Sequence, residues 1–217
     1  MKKIIYFIFL FLWVDSHAQS VFFNTGLNIT SYDYSNATND IGNRLNSASG
    51  SFYELGYTKQ IKTGKRGKYR GYGPYSRLSF SSSFSLNQYN TTGGNLIDSY
   101  VWNTNYLGWN NLLSYSFLNQ KDFLDVGLKL GFGLSTIING TQLIGGQSLD
   151  LKINDEFNGL WVSPIIGLQI KYDIFQDVVL SFGYNFSKLF SSKGEVKGES
   201  LSFNNNQISF GVIIYTK

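Results

Sequence analysis

Apolar and polar residues alternate along several stretches of this chain, and each stretch ends in turn-forming residues. The clearest case is 123–135, where every second residue from Leu124 to Leu134 is apolar and those between are polar or glycine. Such alternation puts apolar side chains on one face of a β-strand and polar side chains on the other. The pattern therefore predicts antiparallel strands with two different faces. The other stretches with this alternation are 78–87, 107–117, 160–172 and 178–187.

Three further stretches complete the predicted set of strands. They lie near 20–31, 50–61 and 203–216 and bring the total to about eight. Each stretch is as long as the roughly 9 to 11 residues that a tilted strand needs to cross a bilayer, or longer. The sequence therefore contains enough strand to span a membrane many times.

The predicted connections alternate in length along the chain. Those at Asn119-Gln120 and around Phe175-Gln176 are tight, whereas the others are long and rich in Asn, Gly, Ser and Thr. Short periplasmic turns and long external loops are typical of outer-membrane barrels. We therefore predict an all-β fold, an antiparallel transmembrane β-barrel of about eight strands with up-and-down topology and both termini on the periplasmic side. The long segments lie near 32–49, 89–98, 139–155 and 190–202, and the connection 62–72 is long for the periplasmic end.

The composition favours a membrane barrel over a soluble, lipocalin-like barrel, which shows the same alternation with the faces reversed. Charged residues make up only 15% of the chain and aromatic residues 17%. The polar face of 123–135 carries Asp125 and Lys129 among glycines. A water-exposed exterior would carry more Lys and Glu, so this face suits a crowded lumen. We accordingly expect Leu128 to face lipid and Gly133 and Ser135 to face inward.

Aromatic residues near the predicted strand ends are expected at the level of the lipid headgroups. Amphipathic rings favour that interface, and barrels carry girdles of them there. The residues concerned are Tyr32, Tyr57, Tyr75, Tyr89, Tyr100, Trp102, Tyr172 and Tyr215.

The N-terminus has the layout of a cleavable secretory signal. Lys2 and Lys3 precede an apolar run of about 11 residues, and Ala18 offers a small residue at the expected cleavage point. Such a run forms a helix of roughly 16 Å, too short for a hydrocarbon core of about 30 Å. The predicted domains are therefore a signal peptide over 1–18 and one barrel domain over 19–217.

The residue inventory argues against catalysis and against most cofactors. The chain has no cysteine, and its single histidine, His17, lies in the predicted signal. The remaining chain thus lacks the usual general base near neutral pH and the commonest zinc ligands. We predict a protein that is not an enzyme and has no metal or cofactor. The formal net charge of +4 is too small to predict binding to nucleic acid.

Two groups of charged residues are candidate functional features. The first is expected in the lumen, either as a structural cluster of mutually offsetting charges or as the lining of a gated ion path. Its members are Glu54, Arg77, Asp125, Lys129 and Lys171.

The second group is a basic run in the connection 62–72. It is expected either as a solvated loop or as a contact for anionic headgroups or an acidic partner, and its predicted periplasmic position favours a protein partner. Its members are Lys62, Lys65, Arg66, Lys68 and Arg70. A further expected contact surface is the external segment 138–157.

Three stretches in the second half of the chain form a recognisable series: Asn105 to Phe117, a Gly-rich strand from Val126 to Gly133, and the closing Gln207 to Val212. In this order they resemble the PorT-like outer-membrane β-barrel family of Bacteroidetes-type bacteria. The first stretch is similar to that family's Tyr-Leu-Glu-Ile-Pro-Leu-Leu strand, although Gly108 and Asn110 stand where the family often has Glu and Pro, and the closing stretch is similar to the family's last strand. Named members are tied to type IX secretion and gliding, so the resemblance implies a role in secretion.

Together these features predict a non-enzymatic outer-membrane barrel that acts as a structural or accessory component. Its expected partners are outer-membrane lipid and a periplasmic or outer-membrane protein. A narrow outer-membrane channel and a soluble secreted ligand-binding barrel remain the alternatives at this point. A lumen of eight strands is just wide enough for side chains, which disfavours the channel.

Overall fold

The computed structural model describes residues 20–35, 45–61, 77–94, 100–120, 124–175, 177–193 and 200–216. Within these ranges the chain forms one antiparallel sheet in which each barrel strand pairs with its neighbours in sequence. Pairing of the first strand with the last closes the sheet. The strands are β1 (Ser20–Ser35), β2 (Leu45–Gln60), β3 (Leu78–Gly93), β4 (Tyr100–Gln120), β5 (Leu124–Ile144), β6 (Gln147–Asp150), β7 (Leu160–Phe175), β8 (Val178–Ser191) and β9 (Ser200–Tyr215).

Eight of these strands form the barrel wall, which confirms the predicted fold. The strands are longer than predicted at one end. β4 and β5 each have 21 residues, about twice the 9 to 11 that a tilted strand needs to cross a bilayer. The prediction of long loops at 32–49 and 89–98 was therefore wrong in part, because β1, β2 and β3 continue into these segments.

A short hairpin forms at the end of β5, where β5 still pairs with β4 but extends beyond its pairing with β7. Gly145 and Gly146 have φ of 55° and 83° and form the two-residue turn between β5 and β6. Two consecutive positive φ values define a type I′ turn, which matches the twist of a hairpin. Within the described residues, β6 pairs with β5 alone. The predicted loop 139–155 thus contains the last residues of β5, the whole of β6 and a 3₁₀ turn.

The chain then folds back toward the barrel. The carboxylate Oδ1 of Asp150 accepts a hydrogen bond from the Lys152 amide at 2.8 Å and caps the 3₁₀ turn Leu151–Ile153. Leu151 and Phe157 are both buried at the barrel mouth. The connection between β6 and β7 therefore contributes to the interior and is more than a surface loop.

The two faces of the wall differ as the alternation predicts. Leu128 points outward and is exposed, whereas Gly133 and Ser135 point inward and are buried, and both assignments are confirmed. Glycines on the inner face make room for long amides. A Cβ on Gly211 would collide with the Asn24 side chain, for example. Exposed apolar residues of the outer face include Leu55, Leu86, Leu107, Leu130, Phe132, Ile166, Leu168, Phe182 and Phe210.

Helices play little part in the described residues. No helix among the described residues is long and apolar enough to cross a membrane.

Candidate functional site in the barrel lumen

An aromatic cluster fills the lumen at the end where β1, β3 and β9 exceed their predicted length. Phe203 lies at its centre, with its ring centroid 4.6 Å from that of Tyr32 and 5.0 Å from that of Tyr89. Trp161 packs on the same ring at 5.2 Å. The buried members are Tyr32, Tyr89, Trp102, Tyr106, Ile137, Leu151, Phe157, Trp161, Leu189, Leu201 and Phe203.

This cluster corrects the predicted headgroup girdle. Tyr32, Tyr89 and Trp102 point into the barrel, and Tyr100 packs against the same cluster. The prediction was wrong because rings that close an interior bury their whole surface, which stabilises more than a half-exposed position does. Tyr172 does face outward.

The remaining aromatic residues of the predicted girdle lie outside this cluster. Tyr215 packs against a small cluster of Phe22, Val179 and Ile213 at the other end of the barrel. Tyr57 is partly buried, and Tyr75 lies outside the described residues.

A layer of amides lies below the aromatic cluster. The Oδ1 atom of Asn28 accepts hydrogen bonds from Asn205 Nδ2 at 3.2 Å and from Gln207 Nε2 at 3.1 Å. Its Nδ2 atom donates to Asn87 Oδ1 at 3.4 Å, so one side chain joins β1, β3 and β9. Asn185 extends the layer by donating to Gln207 Oε1 at 2.9 Å. These bonds satisfy groups that would otherwise be costly to bury.

Glu54 is the most strongly held charge in the lumen. Its carboxylate accepts hydrogen bonds from Ser83 Oγ at 2.6 Å, Asn24 Nδ2 at 2.8 Å and Asn110 Nδ2 at 3.4 Å. Strands β1, β2, β3 and β4 supply these four residues. Hydrogen bonds to an ionised carboxylate are stronger than those between neutral groups, so Glu54 ties this side of the wall together.

The five residues of the predicted lumen charge cluster line one cavity of about 50 Å³ toward the end of the strands that carries the chain termini. Lys171 forms an ion pair with Asp125 at 3.5 Å, and Ser116 Oγ donates to the same carboxylate at 3.0 Å. Lys129 is buried, and Arg77 is exposed at the mouth. A second cavity of about 30 Å³ lies toward the aromatic cluster, and Glu54 lines both cavities.

The other predicted features lie partly beyond the described residues. Lys62, Lys65, Arg66, Lys68 and Arg70 all fall outside them. No group of His, Cys, Asp and Glu side chains within the described ranges could hold a metal ion. Sequence reasoning missed the aromatic cluster and the amide layer, although the inward parity of Tyr32, Tyr89 and Trp102 was readable from the alternation.

A closed antiparallel barrel with an apolar outer belt and a polar lumen is a transmembrane β-barrel of the outer-membrane type. The alternative of a soluble ligand-binding barrel does not fit, because the apolar face points outward. No model of a protein family matches the chain. No curated protein matches it significantly either. The resemblance to the PorT-like family therefore remains a prediction.

Several solved barrels match the structure at low sequence identity. Neisserial surface protein A covers 91% of this chain and 99% of its own, at 12% identity and a TM-score of 0.48. OprG from Pseudomonas aeruginosa covers 92% and 98%, at 11% identity and a TM-score of 0.47. The outer membrane enzyme PagL covers 87% and 97%, at 12% identity and a TM-score of 0.43. These likenesses concern the fold alone and do not bear on function.

The Glu54 network supplies a first testable prediction. Glu54→Gln replaces one acceptor oxygen by an NH₂ group, which must then face the amide donor of Asn24 or that of Asn110. We expect a loss of about 1 to 3 kcal/mol in the free energy of unfolding, measured by urea titration in lipid vesicles. Asp155→Asn, at an exposed turn between β6 and β7, is the matched control and should change stability little. Equal effects of the two changes would contradict this role for Glu54.

Proposed function

We propose that this protein is a non-enzymatic outer-membrane barrel that works through contacts with a protein partner and not by passing solutes. The observation that carries the proposal is the aromatic cluster, which fills the external half of the lumen with buried rings. Below it, hydrogen-bonded amides and Glu54 occupy the centre. A lumen filled in this way leaves the outer surfaces of the barrel for function.

The chemistry of the lumen also favours a role without catalysis. Glu54 and Asp125 are the buried or half-buried carboxylates of the described lumen, and both already accept hydrogen bonds from side chains of the wall. Neither is positioned as an acid and base pair around an open cleft, which hydrolysis of a glycoside requires. The sequence supplies no cysteine and, after the predicted cleavage, no histidine.

The external hairpin is the surface best suited to a partner. Ile153 is 78% exposed, and Leu143, Ile144 and Leu149 are also exposed. Leu143 and Ile144 lie at the end of β5 that still pairs with β4, and Leu149 and Ile153 follow in β6 and the 3₁₀ turn, all at the barrel end opposite the chain termini. Apolar side chains grouped on a projecting surface are typical of protein contacts. We therefore propose that residues 143–153 contact a protein at the cell surface.

A second contact is proposed at the periplasmic end. The basic run from Lys62 to Arg70 follows the end of β2 in the sequence and lies outside the described residues. A density of positive charge of this kind favours an acidic partner. The sequence resemblance to the PorT-like family suggests that such a partner belongs to a secretion system of type IX, and this part of the proposal rests on sequence alone.

Conductance measurements test the closed lumen. We expect the purified barrel to give no stepwise ion currents in planar bilayers, because buried rings around Phe203 pack across the lumen at this end. A heat-unfolded sample of the same preparation controls for detergent artefacts. Reproducible single-channel steps from the folded barrel alone would replace the partner proposal by a channel.

Site-specific crosslinking tests the external contact. A photo-crosslinking amino acid at Ile153 should capture a defined protein in intact cells, and Leu149→Asp should reduce that capture because it places a charge in the apolar surface. The same probe at Lys193, which is exposed between β8 and β9, is the control. Capture of the same protein from both positions with equal yield would contradict a contact at the hairpin.

A further inference from the structure

We propose that the periplasmic half of the lumen is a binding site for a small monovalent anion, either a carboxylate or a halide, with Lys129 as its principal ligand. The site is the cavity of about 50 Å³ that contains the predicted charge cluster. This inference is independent of the partner proposed above, because it concerns the interior of the barrel.

Lys129 is built into the wall as an inward-pointing cation. It lies on β5 between Gly127 and Gly131, which leave the inner surface free for its long side chain. The residue is 6% exposed, and no salt bridge within the described residues involves its ammonium group, although the Glu54 carboxylate attracts it across the cavity. A buried cation without a direct ion-pair partner carries a desolvation cost, which a bound anion would offset.

The neighbouring charges do not remove this need. Glu54 lines the same cavity, but three neutral donors already bind its carboxylate. Asp125 is paired with Lys171. Arg77, Lys129 and Lys171 face two carboxylates across the cavity, so the lining carries one surplus positive charge. An anion balances this charge, and a cation would add to the excess.

The size and lining of the cavity define the ligand. Roughly 10 to 15 Å³ is needed for each water-sized group, so about 50 Å³ has room for the three heavy atoms of a carboxylate or for a halide with one or two waters. Hydroxyl groups of Ser79, Ser114 and Thr58 and the amide of Gln169 also line it. Such groups donate hydrogen bonds to anions. Arg77, exposed at the mouth, would attract anions from the periplasm.

Thermal unfolding in lipid vesicles at constant ionic strength tests the site. Sodium gluconate, whose anion is too large for the cavity, is replaced stepwise by sodium chloride or sodium formate. A ligand that binds only the folded barrel should raise Tm by about 3 to 6 °C when its concentration reaches about ten times Kd. Formate alone raising Tm would assign a carboxylate, and chloride alone a halide; either result supports the site.

Variants decide whether Lys129 is the ligand. Lys129→Met should abolish the rise, whereas Lys188→Met, on a lysine paired with Asp33 outside the cavity, should retain it. If Lys129→Met fails to assemble, the chloride-35 NMR linewidth of the unmodified barrel, with displacement by formate, gives a second measurement. A Tm that does not depend on the anion, a rise retained in Lys129→Met, or a chloride signal that stays unbroadened although chloride raises Tm would overturn the proposal.

Discussion

Leu130→Arg should prevent most of the protein from assembling into a bilayer. Leu130 is 57% exposed on the outer face of β5, and its neighbours on that face, Leu128 and Phe132, are also apolar. An arginine facing lipid near the midplane costs about 2 to 4 kcal/mol, a large fraction of the stability of a domain of this size. Heat-modifiable migration on gels measures the folded fraction after refolding into vesicles, and we expect most of the variant to migrate as unfolded protein.

Thr92→Arg is the matched control for this change. Thr92 also points outward and is exposed, but on β3 it follows Gln88 and Asn90, which mark the end of the apolar belt. Arginine there would meet headgroups or water, where its cost falls to about 0 to 1 kcal/mol. Normal assembly of Leu130→Arg would contradict the lipid-facing position of Leu130. Equal failure of both variants would show that the apolar belt does not end between Leu86 and Gln88.

The period of two along the chain was sufficient to predict the architecture. In β5 the apolar residues from Leu124 to Leu134 all face outward, and Gly127, Lys129 and Gly133 all face inward, as the alternation requires. Residues on one face of a strand share parity, so a single correctly assigned stretch orients the whole strand. The apolar belt then follows because lipid, and not water, surrounds the barrel.

The same parity also contained the signal for the aromatic cluster. Tyr32 shares parity with the inward-facing Asn24 and Asn28, and Phe203 shares parity with Asn205. The headgroup prediction used the position of each ring along the strand and ignored its face. Aromatic residues are favoured both at membrane interfaces and in packed interiors, so position alone does not separate the two.

The hairpin of β5 and β6 could also be predicted in part from the sequence. Gly145-Gly146 after the apolar pair Leu143 and Ile144 is a signal for a two-residue turn, because both central residues of a type I′ turn need positive φ. The return of Leu151 and Phe157 into the barrel mouth was not readable. Their burial depends on the space left by residues from several distant strands.

The sequence was sufficient to predict which residues face the lumen but not which hydrogen bonds they form there. Parity places Glu54 and Asn28 inside, yet Asn28 bonds to Asn205, which is 177 positions away. This pairing arises because β1 and β9 close the barrel in one register, with Asn28 opposite Gln207. Register across the closure is a property of the whole barrel, and no local pattern determines it.

Phe203→Ala should destabilise the barrel strongly while leaving its outer surface unchanged. Phe203 is 0% exposed and contacts the rings of Tyr32, Tyr89, Tyr106 and Trp161. Removal of a buried ring leaves a cavity, and such changes cost about 3 to 5 kcal/mol. Urea titrations in vesicles, followed by tryptophan fluorescence, to which Trp102 and Trp161 of the same cluster contribute, measure the loss in the free energy of unfolding.

Phe210→Ala on the same strand separates the cavity from the loss of apolar surface. Phe210 is 52% exposed on the outer face, where lipid can close around the smaller side chain. The expected cost is then the transfer term alone, about 1.5 to 3 kcal/mol, because no cavity remains. The difference between the two variants measures what packing inside the mouth contributes. If Phe210→Ala were as costly as Phe203→Ala, the rings would not form a packed closure, and the lumen would be open to water at its external end.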